Sequence, residues 1–460
     1  MSALPPGTTS ESAPRLWRAG TLTYTTGGLA LLFLWLLWGD FAWAMRERAI
    51  PTTVQLLFKR FGASDTLVGI LFSSLPAAIG LVLGPVIGYR SDRLRSRWGR
   101  RIPFLVVPIP FIVVSIVGLG FAPQIGAFLE RGPASDGKLT LYLLSGFWVL
   151  FEISCVAANG VFFALINDVV PAPMLGRFFG LFRAASLGAG IFVNYWLIGK
   201  AETHYVWICL GIALLYGVGF TLMCLKVKEG AHPPPPAASE EETGLRMRKG
   251  LPAVRSYFRE CFSHSYYVLA FAVAACCALS TLPFGIYSVF YAKSLGMGMD
   301  TYGKCMALTL TISLGLSYPL GALVDRWHPL RTSIAVIALY GFLMAWGFVE
   351  MRSAASFAVL LVAQGVLSGC YYTSSASLLM RLFPKEKFAE LYSASTVVSG
   401  LVAMAIPAIL GPILDASGHQ YRYIFPMALA LAALGVGGGC LLYRRFLLYG
   451  GPARYVPPSP

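Results

Sequence analysis

Of the 460 residues, 57% are apolar and only 12% carry charge. Twenty-one acids and 36 bases are too few to coat a soluble domain of this length, which argues against a soluble enzyme. The formal charge of +15 would suggest a nucleic-acid partner in a soluble chain, but no such partner is expected once the sidedness of the bases is taken into account. Apolar runs of about 20 residues recur from end to end, each long enough to cross a hydrocarbon core of roughly 30 Å. At that depth the backbone must satisfy itself, and runs this long and continuous point to helices rather than barrel strands.

In chain order, residues 1–27 form a polar, Pro-rich tail. It lacks a cleavable apolar region, so the first apolar run is expected to be a retained span. Spans are predicted at 28–58, 65–89, 102–122, 139–168, 177–198 and 204–225, giving a first six-helix bundle over 28–225. A linker at 226–262 contains Pro233–Pro236, the acidic run Glu240–Glu242 and the bases Arg246, Arg248 and Lys249, a composition that cannot build a core. Six further spans at 263–292, 301–324, 332–350, 354–381, 388–412 and 422–443 form a second bundle over 263–445, followed by a tail at 446–460. If both termini are cytoplasmic, 24 Lys and Arg fall on the inner side and 11 on the outer, with Arg183 inside a span. That bias predicts a multi-pass protein of the cell (inner) membrane with both ends inside.

The two halves echo each other. Gly88-Tyr-Arg-Ser-Asp92-Arg93 closes span two and Gly321-Ala-Leu-Val-Asp325-Arg326 closes span eight, while Arg177-Phe-Phe-Gly and Lys387-Phe-Ala-Glu open spans five and eleven. Matching signals at equivalent places suggest an internally repeated carrier with its site between the halves.

Charged side chains inside spans are the chemical signal. A carboxylate there costs about 3 kcal/mol or more unless it is paired or wet, so it usually faces a cavity or a proton path. Asp40, Trp43 and Glu47 lie at i, i+3 and i+7 on one face of span one; Trp148, Glu152 and Asn159 make a similar stripe in span four. Rings beside carboxylates suit a sugar, whose C–H faces stack and whose hydroxyls need acceptors. A carboxyl in low dielectric favours its neutral form, which would let Glu152 load and release a proton. Arg183, in span five, is the expected positive partner of Glu152, though the two could equally be a static packing pair. Arg46-Glu47-Arg48 reads as a solvated outer vestibule. The second half offers neutral groups, Gln364 and Tyr371 in span ten and Tyr287 in span seven, which either complete a sugar site or pack helices. The nine cysteines read as small buried hydrophobes, and no metal cluster or phosphate loop is present in the sequence.

The most specific stretch is Pro85-x-x-Gly88-x-x-x-Asp92-Arg93-x-x-Ser96-Arg97-Trp98-Gly99-Arg100-Arg101-x-Pro103-Phe104. It resembles the cytoplasmic loop of major facilitator transporters. The Ser-Arg-Trp-Gly-Arg-Arg extension is similar to that of the sucrose/proton symporters and of the glycoside-pentoside-hexuronide/cation symporters, the melibiose permease group. Gly39-Asp40-Phe-Ala-Trp43-Ala-Met45 resembles span one of both groups. Gly146-Phe-Trp148-Val-Leu-Phe-Glu152 and Ala164-Leu-Ile-Asn-Asp168 look like span four of the sucrose symporters. The resemblance implies an all-α membrane protein of the major facilitator fold, twelve helices in two pseudo-symmetric bundles. It implies that Asp40 takes a sugar-binding position and Glu152 that of a proton-coupling Asp, while Phe163 stands where the sucrose symporters have an Arg.

Together these readings predict a cation-coupled symporter of a sugar or glycoside, acting as a monomer. Its partners are the solute, H⁺ or possibly Na⁺, and the bilayer, and no other cofactor is expected. Glu152 and Arg183 would couple protons. Asp40, Trp43, Trp148, Asn159, Gln364, Tyr371 and Tyr287 would bind solute. Gly88, Asp92, Arg93, Arg97, Gly99, Arg100, Gly321, Asp325 and Arg326 would form a cytoplasmic gate, with Gly88 allowing a close helix approach. A proton-driven exporter of drugs or metabolites, or a non-transporting sensor, would use the same fold.

Overall fold

A computed structural model describes residues 16–94, 96–130, 137–230, 259, 261–384 and 387–458. Among them are twelve helices long and apolar enough to cross a membrane. These are α1 (Thr26–Arg60), α2 (Asp65–Gly88), α3 (Ile102–Leu129), α4 (Lys138–Val169), α5 (Ala172–Lys200), α6 (Tyr205–Lys226), α7 (Ser265–Ser294), α8 (Met299–Val324), α9 (Pro329–Glu350), α10 (Ala354–Leu382), α11 (Glu390–Ala416) and α12 (Tyr421–Leu448).

Three helix ends depart from the sequence reading by five residues or more: α3 ends at Leu129, α5 begins at Ala172 and α12 ends at Leu448. Helix α3 continues past residue 122 to Leu129, because Pro123 is absorbed inside the helix at the loss of one backbone hydrogen bond. Within the segment expected to be a featureless tail, Trp17–Ala19 (β1) pairs antiparallel with Leu22–Tyr24 (β2), and Gly20 supplies the left-handed turn residue (φ +57°).

Helix pairing shows an internal repeat. In the first half α1 packs on α5 and α6, α3 on α4 and α6, and α2 on α4; in the second, α7 packs on α11 and α12, α9 on α10 and α12, and α8 on α10. The second set is the first displaced by six helices. The halves meet through α2 against α11 and α5 against α8. Since lipid is as apolar as leucine, such contacts are held by close packing and by hydrogen bonds rather than by a hydrophobic drive.

Short connections make the ends of successive helices alternate. One end, here the basic end, carries loop 94–101, residues 227–230 and both described chain ends. The far end carries 61–64, 201–204, 295–298 and 417–420. Near the far end α2 and α5 each widen into a π-turn, Ile70–Ser74 and Val193–Leu197, where they cross the other half. There Ser73 and Ser74 donate to the carbonyls of Ala403 (3.1 Å) and Met404 (2.9 Å). A side chain at Gly303 would collide with the Asn194 carbonyl, and one at Gly411 with the Thr66 backbone.

Toward the basic end the reverse holds. A Cβ added at Gly80, Gly84 or Gly88 on α2, at Gly176 or Gly180 on α5, or at Gly315 or Gly321 on α8 would meet nothing within 4 Å. The halves therefore touch at the far end and diverge at the basic end. The expected close approach at Gly88 is not made in this conformation: among the described residues nothing lies within 4 Å of where its side chain would stand.

Candidate functional site

A cavity of about 490 Å³ opens inside the first half, lined wholly by α1, α2 and α4. Helix α1 contributes Trp43, Arg46 and Glu47; α4 contributes Phe151, Glu152, Cys155 and Asn159; Pro76, Ala77 and Gly80 of α2 close one wall. The charged centre is Arg46, only 3% exposed. Its guanidinium lies over the ring of Trp43 (4.1 Å to the centroid), with Tyr216 at 5.1 Å and Phe151 at 5.6 Å, and its Nη1 donates to the Cys155 sulfur at 2.8 Å. Stacking on rings holds a guanidinium that has few acceptors. Its Nε is buried without a hydrogen-bond partner. Glu47 is exposed to the cavity and Glu152 half-buried in its wall.

The expected stripes are split by burial. From α1, Trp43 and Glu47 reach the cavity, but Asp40 is 2% exposed, points into the bundle and leaves its Oδ2 without a partner. From α4, Glu152 and Asn159 reach it, whereas Trp148 does not. The indole of Trp148 is 1% exposed, stacks on Phe72 (4.1 Å) and donates its N–H to the Leu71 carbonyl (2.9 Å), so it fastens α4 to α2. Arg183 is not the partner of Glu152: it is exposed and reaches across to Thr373 of α10 at 3.4 Å, while the charges acting on Glu152 are those of Arg46 and Glu47. The vestibule reading of Arg46 is corrected by the same geometry. Gln364 and Tyr371 are buried within the second half, away from the cavity lining. Cys155, read as a plain hydrophobe, is a hydrogen-bond acceptor.

At the far end lies a cluster for which no local pattern in the chain is a signal. Asp65, 0% exposed, begins α2. Its carboxylate meets Lys59 Nζ (2.5 Å) from its own half, and His419 Nδ1 (2.6 Å) and the Tyr421 hydroxyl (3.1 Å) from the other; its carbonyl accepts from Tyr287 (3.1 Å). In return Asp415 of α11 accepts the first backbone N–H groups of α2, from Asp65 (2.6 Å) and Thr66 (3.0 Å), and the Thr66 hydroxyl (2.6 Å). One half thus caps a helix start of the other. Tyr287, expected at the solute, belongs to this latch.

The sequence profile of the Major Facilitator Superfamily matches residues 26–354 and 269–454. The chain belongs to the major facilitator superfamily. It is accordingly a transporter and a multi-pass membrane protein, not an enzyme. Sucrose transport protein SUT1 of Oryza sativa subsp. japonica is 34% identical over 137 residues, which cover 28% of this chain and 24% of the relative's length. The chain therefore matches about a quarter of that relative. Among solved structures, a D-xylose-proton symporter superposes with TM-score 0.64 at 13% identity, over 90% of this chain and 98% of that one. A bacterial homologue of the iron transporter ferroportin, described as inward-facing, gives 0.63 at 18%, over 90% and 98%. At those identities the likeness is one of fold.

In this facilitator the loop at the basic end is a charge clasp within the first half. Gly99 sits at φ +104°, a region that favours glycine, and a side chain there would strike Glu229. The turn presents Arg100, which grips Asp168 through Nη2 (2.7 Å) and Nε (3.1 Å), while Arg101 reaches Asp168 (3.2 Å) and Ser91 (2.6 Å). Glu229, after α6, accepts the backbone N–H groups of Arg100, Arg101 and Ile102 at 2.7–2.9 Å and so caps α3. Arg93, Arg97 and Arg326 are exposed. The side chains of Asp92 and Asp325 lie outside the described residues, and Gly321, like Gly88, faces open space.

Proposed function

We propose that this transporter is a proton-coupled symporter of a sugar or glycoside that works by alternating access. In this reading the basic end faces the cytoplasm of the cell membrane. The observation that carries it is the presence, in one cavity, of the buried Arg46 cation and of Glu152, which has no hydrogen-bond or ion-pair partner among the described residues. With Glu152 ionised, the site holds two carboxylates and one guanidinium. One proton on Glu152 leaves Glu47 and Arg46 in balance, and a neutral site is the one that crosses low dielectric cheaply. A guanidinium at the centre of the site disfavours Na⁺, which would need several oxygens and no competing cation. The indole of Trp43, the ring of Phe151 and the amide of Asn159 supply the stacking and hydrogen bonding that a hydroxylated solute requires. The names of the similar proteins, a sucrose transport protein and a xylose-proton symporter, support the same class. Divergence of the halves at the basic end corresponds to an inward-open state, with the Asp65 latch closed.

The test is uptake of labelled mono- and disaccharides by proteoliposomes under an imposed pH gradient, with and without sodium. Glu152→Gln is expected to abolish gradient-driven accumulation while keeping exchange of solute between equal pools. Undiminished accumulation in that variant would sink the assignment, and accumulation driven by sodium alone would replace the proton.

A further inference from the structure

Helices α3 and α6 pack on each other, on α1 and on α4, on the side of the first half removed from α8 and α11. Where they reach the basic end they leave a groove of about 430 Å³. Its floor is apolar, built from Ile102 and Val106 of α3 and Leu225 of α6, and Leu225 is 65% exposed. Its rim carries Arg97, Lys228 and the indole of Trp98, which is 51% exposed.

Glu229 also lines the groove, but its carboxylate is taken up by the three backbone N–H groups of residues 100–102. Arg97 and Lys228 have no hydrogen-bond or ion-pair partner among the described residues. Two unneutralised cations therefore stand over an open apolar floor, at the depth where transmembrane helices end.

We propose that this groove holds one anionic phospholipid. Its phosphate lies between Arg97 and Lys228, its glycerol region against Trp98, and an acyl chain along Val106 and Leu225. Guanidinium and ammonium together complement a phosphodiester, and tryptophan prefers the interface between headgroup and chain. The apolar floor selects a lipid over a free phosphate, which would gain nothing from it. Because Trp98 adjoins Gly99 and Arg100, the lipid would also tie the charge clasp to the membrane surface.

The experiment follows tryptophan quenching in the full chain in mixed micelles titrated with brominated phosphatidylglycerol or brominated phosphatidylcholine. The Trp98 signal is isolated by difference against Trp98→Phe. The anionic lipid is expected to quench that signal at roughly tenfold lower mole fraction than the zwitterionic one. Arg97→Gln/Lys228→Gln is expected to remove the preference. Equal quenching by the two lipids would reduce the groove to ordinary boundary lipid and overturn the proposal. So would displacement of brominated phosphatidylglycerol by glycerol 1-phosphate, which would mark a soluble-anion site. If the double variant does not fold, the wild-type comparison of the two lipids still decides. None of these readouts depends on which solute or ion is transported.

Discussion

The two halves share one helix-pairing plan and differ in what they bury. The first encloses Arg46, Glu152 and Asp40 in its interior. The second satisfies its interior with neutral bonds: Ser333 to Ser374 (3.3 Å) and Tyr340 to the Ser280 carbonyl (3.3 Å). Neutral hydrogen bonds can be complete in a single state, whereas an acid and a cation at membrane depth hold a balance that one proton can alter. The two copies of one repeated bundle thus differ in the charge they bury, and the contrast rests on a few side chains of the first half.

The sharpest test of that contrast sets two arginines of the first half against each other. Arg46→Leu strands Glu152 and Glu47 without their counter-charge and is expected to lower gradient-driven uptake by about 100-fold. Arg183→Leu, which removes only a long contact to Thr373, should stay within about threefold. Equal losses in initial uptake rate would erase the distinction.

Next in size is the latch where the halves meet. Asp65→Asn weakens contacts to Lys59, His419 and Tyr421 together, each charge-assisted bond being worth roughly 1.5–3 kcal/mol. A cysteine placed at the buried Ser73, which lies against the Ala403 carbonyl of the other half, is then expected to react with a membrane-impermeant maleimide at least about tenfold faster than in the unmodified latch. Lys59 lies on the same half as Asp65 (2.5 Å) and His419 on the same half as Asp415 (4.0 Å), so each acid also has a basic neighbour within its own half.

In the second half the effects should be smaller. Tyr371→Phe is expected to change uptake by less than about threefold, because the residue is buried in packing. A tenfold loss with an unchanged melting temperature would instead bring α10 into the solute site.

The smallest effect concerns His328, whose Nδ1 accepts the Leu330 N–H at the start of α9. Burial, with Arg381 and Arg331 nearby, pushes its imidazole down to about 4. Between that value and the ordinary 6.5, the native state binds fewer protons than the unfolded chain. The stability contribution is thus complete above about pH 6.5 and is lost as pH falls toward 4. Thermal melting at pH 7 and pH 5 should show a loss on the order of 1 kcal/mol. His328→Asn, which retains a cap acceptor, should flatten it.

Particular residues show what could be read in advance. Glu152, Trp43 and Asn159 were legible because an acid or a polar group beside a ring within an apolar run is costly, and helical periodicity alone places such residues on a shared face. Trp148 and Asp40 share those stripes, yet whether a face meets a cavity or a neighbouring helix depends on which helix packs there. Arg46 was hidden by its place in a charged triplet, Arg46-Glu47-Arg48, that reads as solvated; only the stacking of Trp43, Tyr216 and Phe151 shows that it turns inward.

By itself the sequence determined the twelve spans and the uneven burial of charge, because both follow from local hydropathy, run length and the cost of an ion in hydrocarbon. Tertiary structure alone decided that Arg46 rather than Arg183 attends Glu152. It alone showed that Asp65 meets Asp415 and His419, some 350 residues away, and that Gly88 and Gly321 face open space while Gly303 and Gly411 are locked. Those features depend on the relative placement of two bundles, for which no stretch of chain carries a local signal.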